Sequence, residues 1–268
     1  MLKRSSQKII RPQRGSPERL ADALMIRIFR GDFPPGTRLP AERQLARQLG
    51  VDRTTLRMAL KQLQRMNLLR ARHGSGIEVN DFRVTGGLDV LAAMFALEEL
   101  PLEGSFIVEG LDFWLESFAM TAAKALVRMS LDEMREVERL MDAAIAAGDD
   151  VDALIAAELA LQDTLARLSG SVLFRMLNNS TRTLRERLMR LLHQTVDDVE
   201  EWFRGQRTLL REVAASHPSE EQVYVGLLAA LKQLTAGLRQ RLLFGAPERA
   251  APRARVAART RARKGAQR

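Results

Sequence analysis

The sequence of 268 residues contains no cysteine, only three histidines and only 5% aromatic residues. Without cysteine the chain forms neither disulfides nor thiolate metal sites, and it has no cysteine nucleophile. Three histidines are too few for a histidine-rich metal cage. Uncharged apolar runs stay well short of the roughly 18 residues of a membrane span, and the polar N-terminus lacks the apolar core of a secretory signal. We therefore expect a cytoplasmic, mostly helical protein that uses no cofactor.

Charge is distributed unevenly along the chain. The total of 42 basic and 33 acidic residues leaves a net charge of +9. Residues 1–80 carry 17 basic and 6 acidic residues, residues 246–268 carry 8 basic and 1 acidic, and the part between has a net charge of −9. A basic surface attracts a polyanion such as the DNA backbone, whereas an acidic one repels it. The sequence thus predicts two domains with different partners.

The basic N-terminal part begins with three predicted helices. The first covers 17–30, with Ser16 as its N-cap. A second, over about 41–49 and opened by Pro40, ends at a glycine. Asp52 then caps a third helix over 53–66. Two short helices joined by such a tight turn are typical of a helix-turn-helix.

Two short strands follow the third helix. They are predicted at 68–71 and 77–79, joined by the glycine-bearing loop 72–76. The order helix, helix-turn-helix and hairpin is that of a winged helix, in which the third helix enters the major groove of DNA.

The third helix has one apolar face and one basic face. Its arginines have the fork geometry that pairs with guanine O6 and N7, and its early threonines have hydroxyl groups for phosphates or bases. A glycine at the hairpin tip permits close approach to the minor groove. The predicted DNA contacts are Arg43, Arg53, Thr54, Thr55, Arg57, Lys61, His73 and Gly74.

From residue 87 onward the periodicity is helical. Helices are predicted near 87–98, 106–128, 130–148 and 151–168, and apolar stripes run over 172–199 and 223–238. Six or so helices would form a bundle-like domain. The resulting layout is a flexible basic arm (1–15), a winged helix (16–80), a linker (81–86), an all-helical ligand-binding and dimerisation domain (87–245) and a basic disordered tail (246–268).

Residues 17–80 resemble the GntR-type winged-helix transcription regulators. The resemblance is carried by the run FPPGTRLPAER at 33–43, by RTTLR at 53–57 and by HGSG at 73–76. It implies a dimer on a palindromic operator in double-stranded DNA, and the predicted contacts other than Lys61 match the family's DNA-contacting positions. One departure is Asp52, where the family usually has Ser or Thr. An acid still caps the helix but repels phosphate.

The helical remainder resembles the effector domain of the FadR subfamily, beginning with DFRVTGGLDVL at 81–91. Many members bind a divalent metal through an acid and three histidines. The matching places here hold Glu158, Gln162 and Gln206, and residues 228–233 contain no histidine. Because glutamine is a poor ligand for borderline transition metals, we predict no metal site. A branch of the subfamily that lacks this metal set binds long-chain acyl-CoA, which is therefore the leading expected ligand.

Polar residues near 175–185 are candidates for holding an acidic metabolite, because arginine pairs with carboxylate or phosphate. The alternative is that these residues are simply solvated. His193, in the middle of a predicted helix, is interpreted as packed or surface-exposed rather than as a ligand. The candidate effector residues are Arg175, Asn178, Arg182, Arg185 and Gln206.

Three functions are weighed on this basis. The first is a regulator that an acyl-CoA releases from its operator, or that responds to a small carboxylate such as a sugar acid or dicarboxylate. A wide apolar channel would favour the acyl-CoA, and a small cavity lined by Arg and Asn would favour the carboxylate. The second is an architectural nucleic-acid binder without an effector, which would bind DNA with little sequence preference. The third is an enzyme, but the sequence has no phosphate-cradling glycine loop and no credible triad, so we predict no catalysis.

Overall fold

The computed structural model describes residues 16–72, 76–148, 150–193, 199–216 and 218–244. The predicted arm, the predicted tail and the two wing residues His73 and Gly74 lie outside this part of the chain.

The N-terminal elements follow the predicted order. Ser16 caps the first helix, its Oγ accepting from the backbone N–H of Arg19 at 3.4 Å. The second helix ends at Gly50, whose φ of 69° is left-handed, the region that favours glycine. Pro40 lies before this helix rather than in its first turn, because Ala41 is the N-cap. The elements are α1 (Pro17–Phe29), α2 (Glu42–Leu49), α3 (Arg53–Arg65), β1 (Leu69–Arg72) and β2 (Gly76–Val79).

The two strands form an antiparallel hairpin, with Leu69 opposite Val79. Leu56, Leu60 and Leu63 of α3 are buried against α1 and the hairpin. Their spacing places them on one side of the helix, which leaves the opposite side free for a partner. The predicted winged helix is confirmed.

The C-terminal domain is all-helical in its described part. This described part comprises nine helices after a short turn, rather than six or so. The turn is α4 (Phe82–Thr85), and the helices are α5 (Leu88–Ala96), α6 (Gly104–Leu126), α7 (Leu131–Ala147), α8 (Val151–Leu168), α9 (Val172–Ser180), α10 (Arg182–His193), α11 (Val199–Ser216), α12 (Glu220–Leu234) and α13 (Ala236–Phe244).

Two buried threonines explain part of the difference in helix number. Thr181 separates α9 from α10, and Thr235 separates α12 from α13. Each side-chain hydroxyl donates to the carbonyl four residues earlier, at 2.9 Å in both cases. Such bonds compete with the backbone ladder and favour a bend. The apolar stripes that were each predicted as continuous are therefore broken in two.

Helix α5 packs into both domains. Val90 and Met94 are buried in the core of the winged helix, whereas Phe95 belongs to the core of the bundle, where it stacks on Phe106 at 5.8 Å between ring centroids. Arg187 of α10 donates to the carbonyl of Phe95 at 2.8 Å. The helix is thus a structural connection between the winged helix and the helical bundle. Across the described residues, no helix combines the length and apolarity that crossing a membrane requires.

Candidate DNA-binding surface and effector cavity

The outer face of α3 is basic and accessible. Arg53, Thr54, Arg57 and Lys61 are exposed, and so is Arg43 of α2. Their apolar neighbours on the helix are buried, so α3 is held rigidly while its basic face stays free. This is the arrangement that a helix-turn-helix needs to enter the major groove.

Asp52 caps α3 through two hydrogen bonds from one residue. The backbone N–H of Thr55 donates to Oδ1 at 2.9 Å, and the Thr55 hydroxyl donates to Oδ2 at 2.6 Å. These bonds hold the pKa of Asp52 below its ordinary value, so the carboxylate is ionised at neutral pH. Thr55 is half-buried, and in this arrangement its hydroxyl proton is used within the protein.

Arg57 is held by an acidic partner that sequence reasoning missed. Its Nε donates to Oε2 of Glu42 at 2.7 Å, which links α3 to the start of α2. The partners are 15 positions apart, so only the crossing of the two helices brings them together. Glu42 orients the guanidinium on the exposed face.

The base of the wing carries a second basic cluster that was not predicted. Glu78 is buried and accepts from Arg70 at 2.5 Å and from Arg72 at 2.8 Å. Hydrogen bonding from Arg70 and the nearby positive charges hold its pKa below the ordinary value. Since two arginines share one carboxylate, the wing keeps a net positive charge next to the predicted minor-groove contacts.

The helical bundle contains a small, partly open cavity of about 20 Å³ between α6, α8, α9 and α10. Arg185 is its charged member and is 2% exposed. Its guanidinium donates to Oε1 of Gln162 at 2.8 Å, to Oδ1 of Asp163 at 3.2 Å and to the carbonyl of Asn178 at 3.0 Å. The other walls are mostly apolar, formed by Phe113, Trp114, Ser117, Phe118, Thr121, Phe174, Leu177 and Thr181.

Two features leave Arg185 ready for a further anionic partner. Burial lowers the pKa of its guanidinium, and the Asp163 carboxylate opposes this only partly. Its Nε is buried and has no hydrogen-bond partner among the described residues. An unpaired donor in such a site costs free energy, and an anion entering the cavity would satisfy it.

Only two of the five candidate effector residues, Arg185 and Asn178, line this cavity. Arg182 is exposed and pairs with Asp163 at 2.9 Å. Arg175 is exposed, and Gln206 is half-buried on α11; neither lines the cavity. The helical spacing that suggested Arg175 and Arg182 could not tell which side of each helix faces inward.

Glu158 and His193 form a buried pair that the sequence did not suggest. Nε2 of His193 lies 2.9 Å from Oε2 of Glu158, and their side chains are 2% and 8% exposed. Gln162, one turn from Glu158, is used by Arg185 and by Trp114 Nε1, which donates to it at 3.3 Å. Within the described part of the chain, no three acidic or histidine side chains gather as a metal site would require.

A larger open groove, of about 870 Å³, lies between the winged helix and the bundle. Its walls come from α1, α4, α5 and the start of α6, and its charged residues are Arg83, Glu103 and Glu109. With two carboxylates and one arginine, this groove is a poorer site for an acidic metabolite than the cavity at Arg185.

Comparison with known proteins agrees with this geometry. Residues 17–79 match the family "Bacterial regulatory proteins, gntR family", and residues 113–220 match the FCD domain. The "Fatty acid metabolism regulator protein" of Shewanella halifaxensis is 35% identical over 182 residues, which are 65% of this chain and 71% of the relative. Its namesake from Pasteurella multocida is 36% identical over 144 residues, which are 52% of this chain and 58% of that protein. The chain thus spans less than two thirds of the Pasteurella relative.

Another relative is the "HTH-type transcriptional regulator Mce2R" of Mycobacterium tuberculosis. It is 32% identical over 187 residues, which are 69% of this chain and 76% of that protein. Among solved structures, Streptococcus agalactiae GntR is 21% identical, with a TM-score of 0.36 over 81% of this chain and 99% of that one. A second is described as "Lar controls the expression of the Listeria monocytogenes agr system and mediates virulence"; it is 17% identical, with a TM-score of 0.48 over 86% and 97% of the two chains. Since neither score reaches 0.5, the assignment depends on the sequence matches. The chain belongs to the GntR family of bacterial transcription regulators and carries a FadR-like FCD effector domain.

Proposed function

We propose that this regulator binds a palindromic operator as a homodimer and that an acidic fatty-acid metabolite, with long-chain acyl-CoA as the first candidate, releases it. It acts in the cytoplasm, where the operator lies, as a repressor and without catalysing a reaction. The names of the Shewanella and Pasteurella relatives support the link to fatty-acid metabolism.

The DNA-binding half of the proposal depends on the exposed face of α3. Arg53 and Arg57 contact guanine edges, while Thr54, Lys61 and Arg43 contact bases or phosphates. Thr55 contributes mainly through the helix cap, and the predicted wing contacts His73 and Gly74 complete the set. A dimer would present two such faces, one turn of DNA apart, to the two half-sites.

The effector half depends on one observation, the buried Arg185, which lines a mostly apolar cavity and whose Nε has no hydrogen-bond partner among the described residues. A ligand with an acidic group and an apolar body matches these walls, since the guanidinium pairs with carboxylate or phosphate and the aromatic rings pack on hydrocarbon. Both Arg185 and Asn178 belong to the site.

The size of the cavity favours a second candidate, a small carboxylate. A space of about 20 Å³ holds about one water molecule, so a long acyl chain enters only if the surrounding helices move apart. A dicarboxylate or sugar acid needs much less movement. This candidate shares the same arginine and the same mechanism of release.

A short path links the cavity to DNA binding. Arg187 lies two residues after Arg185 on α10 and holds the end of α5 through the Phe95 carbonyl. Helix α5 in turn contributes Val90 and Met94 to the core of the winged helix. A ligand that shifts α10 would therefore change the position of the DNA-binding domain and lower its affinity for the operator.

The test is a gel shift on DNA from upstream of the protein's own coding sequence, at fixed salt and with excess nonspecific DNA. Palmitoyl-CoA should release the wild type but not Arg185→Met. Arg175→Gln serves as the matched control, because this exposed arginine lies outside the cavity, and it should behave as wild type. Release by a small carboxylate alone would identify the second candidate.

Three outcomes would contradict the proposal. If no acyl-CoA or carboxylate changes operator affinity, the effector function is wrong. If the affinities of the protein for specific and nonspecific DNA differ by less than about a thousandfold, the architectural alternative gains support. Sedimentation of the free protein as a monomer at micromolar concentration would contradict the dimer.

A further inference from the structure

The recognition helix begins with an acidic group on a mostly basic surface. Asp52 is exposed at the N-terminus of α3, directly before the exposed Arg53. Thr55 supplies one hydrogen bond to each carboxylate oxygen. Because each oxygen has two lone pairs, Asp52 keeps one acceptor position on each oxygen for a group outside the protein.

A DNA phosphate does not suit this position. A helix N-terminus usually attracts an anion through its free N–H groups and its dipole. Here the N–H of Thr55 is already used, and the Asp52 carboxylate supplies a negative charge. The carboxylate also has no proton to donate to a phosphate oxygen. The partner of Asp52 in a protein–DNA complex must therefore be a hydrogen-bond donor.

Only the exocyclic amino groups of cytosine and adenine donate in the major groove. Adenine presents its N6 amino group beside the N7 acceptor, which would face the negatively charged carboxylate. Cytosine presents its N4 amino group with no acceptor beside it on the same base, so it is the better partner. Arg53, next in sequence, has the geometry to bind the O6 and N7 atoms of guanine, so both contacts point to G·C pairs.

We propose that Asp52 is a specificity-determining residue that selects cytosine at one position of each half-site by accepting a hydrogen bond from its N4 amino group. This inference rests on the proposed operator binding and adds a base preference to it. An amide at the same place both donates and accepts, which suits N6 and N7 of adenine. The variant Asp52→Asn should therefore change the preferred base from cytosine to adenine.

The test compares the full-length wild type, Asp52→Asn and Asp52→Thr by selection from a library of randomised operators. Asn and Thr are both good N-caps, so helix α3 is retained, and circular dichroism and thermal melting check the fold. Gel shifts at fixed salt then compare operators that differ only at the selected position. As a matched control, Asp32→Asn changes another exposed acidic residue of the winged helix, one that is paired with Arg27 and lies outside α2 and α3, and it should leave that position unchanged.

The wild type should prefer cytosine there by about fivefold or more, in line with the usual cost of a mismatched contact. Asp52→Asn should prefer adenine, and Asp52→Thr should show no preference while binding mismatched operators more tightly. If all three proteins select the same base at every position, the inference is wrong. If the wild type selects no operator, the proposed DNA-binding function itself fails.

A second measurement needs no variant. The wild type is titrated with operator DNA in which the selected cytosine is replaced by a 2-pyrimidinone nucleotide, which lacks the amino group. Affinity should fall about as far as it does for the mismatched operator. Unchanged affinity would overturn the assignment of the N4 contact even if the substituted proteins failed to fold.

Discussion

Replacing Arg185 by methionine should abolish the response to ligand while leaving the fold almost as stable as before. Methionine fills a similar volume and adapts to irregular surroundings. A buried arginine that makes three hydrogen bonds is usually expected to stabilise a fold strongly. A small change in the free energy of unfolding would therefore be specific to this site.

The magnitude follows from what each acceptor keeps after the guanidinium is removed. The two side-chain acceptors of Arg185, on Gln162 and Asp163, each keep another donor, and only the Asn178 carbonyl loses its main one. The desolvation cost of the charge, which already lowers the pKa of Arg185, disappears at the same time. We expect a loss of about 1 kcal/mol or less, because replacing a buried charge by an apolar group is often neutral. The remaining donors are Trp114 Nε1 to Gln162, and Arg182 and Asn178 Nδ2 to Asp163. The Thr181 hydroxyl donates its one proton to the Leu177 carbonyl at 2.9 Å and lies 3.3 Å from the Asn178 carbonyl.

Removing the acidic partner has the opposite consequence. In Asp163→Asn the buried guanidinium of Arg185 loses its carboxylate partner. Breaking a buried ion pair in this way lowers stability, because it leaves a buried charge without compensation. Asp163 is 40% exposed, so solvent screens part of this loss, and we expect about 2 kcal/mol. Urea unfolding followed by circular dichroism measures both variants. If Arg185→Met proves less stable than Asp163→Asn, the assignment of satisfied and unsatisfied groups is wrong.

Three further predictions concern packing, coupling and pH. Gly104→Ala should lower the free energy of unfolding by about 1–3 kcal/mol, because a Cβ there would overlap the Leu242 carbonyl. Gly226 has open space around it, so Gly226→Ala should raise the free energy of unfolding by up to about 1 kcal/mol. Urea unfolding compares the two variants. Arg187→Gln should bind the ligand with the affinity of the wild type, as measured by calorimetry, but the ligand should release it less readily from operator DNA in gel shifts. If the ligand released the variant and the wild type equally well, the path through α5 would be wrong. Hydrogen bonds lower the pKa of Asp52 in the folded protein, so the ionised carboxylate stabilises the fold at pH values above 3.8, the ordinary pKa of the group. This stabilisation declines as the pH falls below 3.8. The difference in melting temperature between the wild type and Asp52→Asn should therefore shrink at such low pH.

Local signals in the sequence determined most of the elements. Helix α8 was predicted at 151–168 and is found at Val151–Leu168, and the helices on either side of Gly50 agree within one residue with prediction. Caps, glycine turns and apolar periodicity act over a few residues, so they can be interpreted without knowledge of the rest of the fold. The accessible basic face of α3 follows from the same periodicity.

Tertiary structure alone decided which side chains meet. The contacts of Arg57 with Glu42, of Arg185 with Gln162 and of His193 with Glu158 join residues 15, 23 and 35 positions apart. Periodicity shows that a helix has a polar and an apolar side, but it does not show which neighbour each side faces. That depends on how α8, α9 and α10 cross, which leaves Arg185 buried while Arg175 and Arg182 remain exposed.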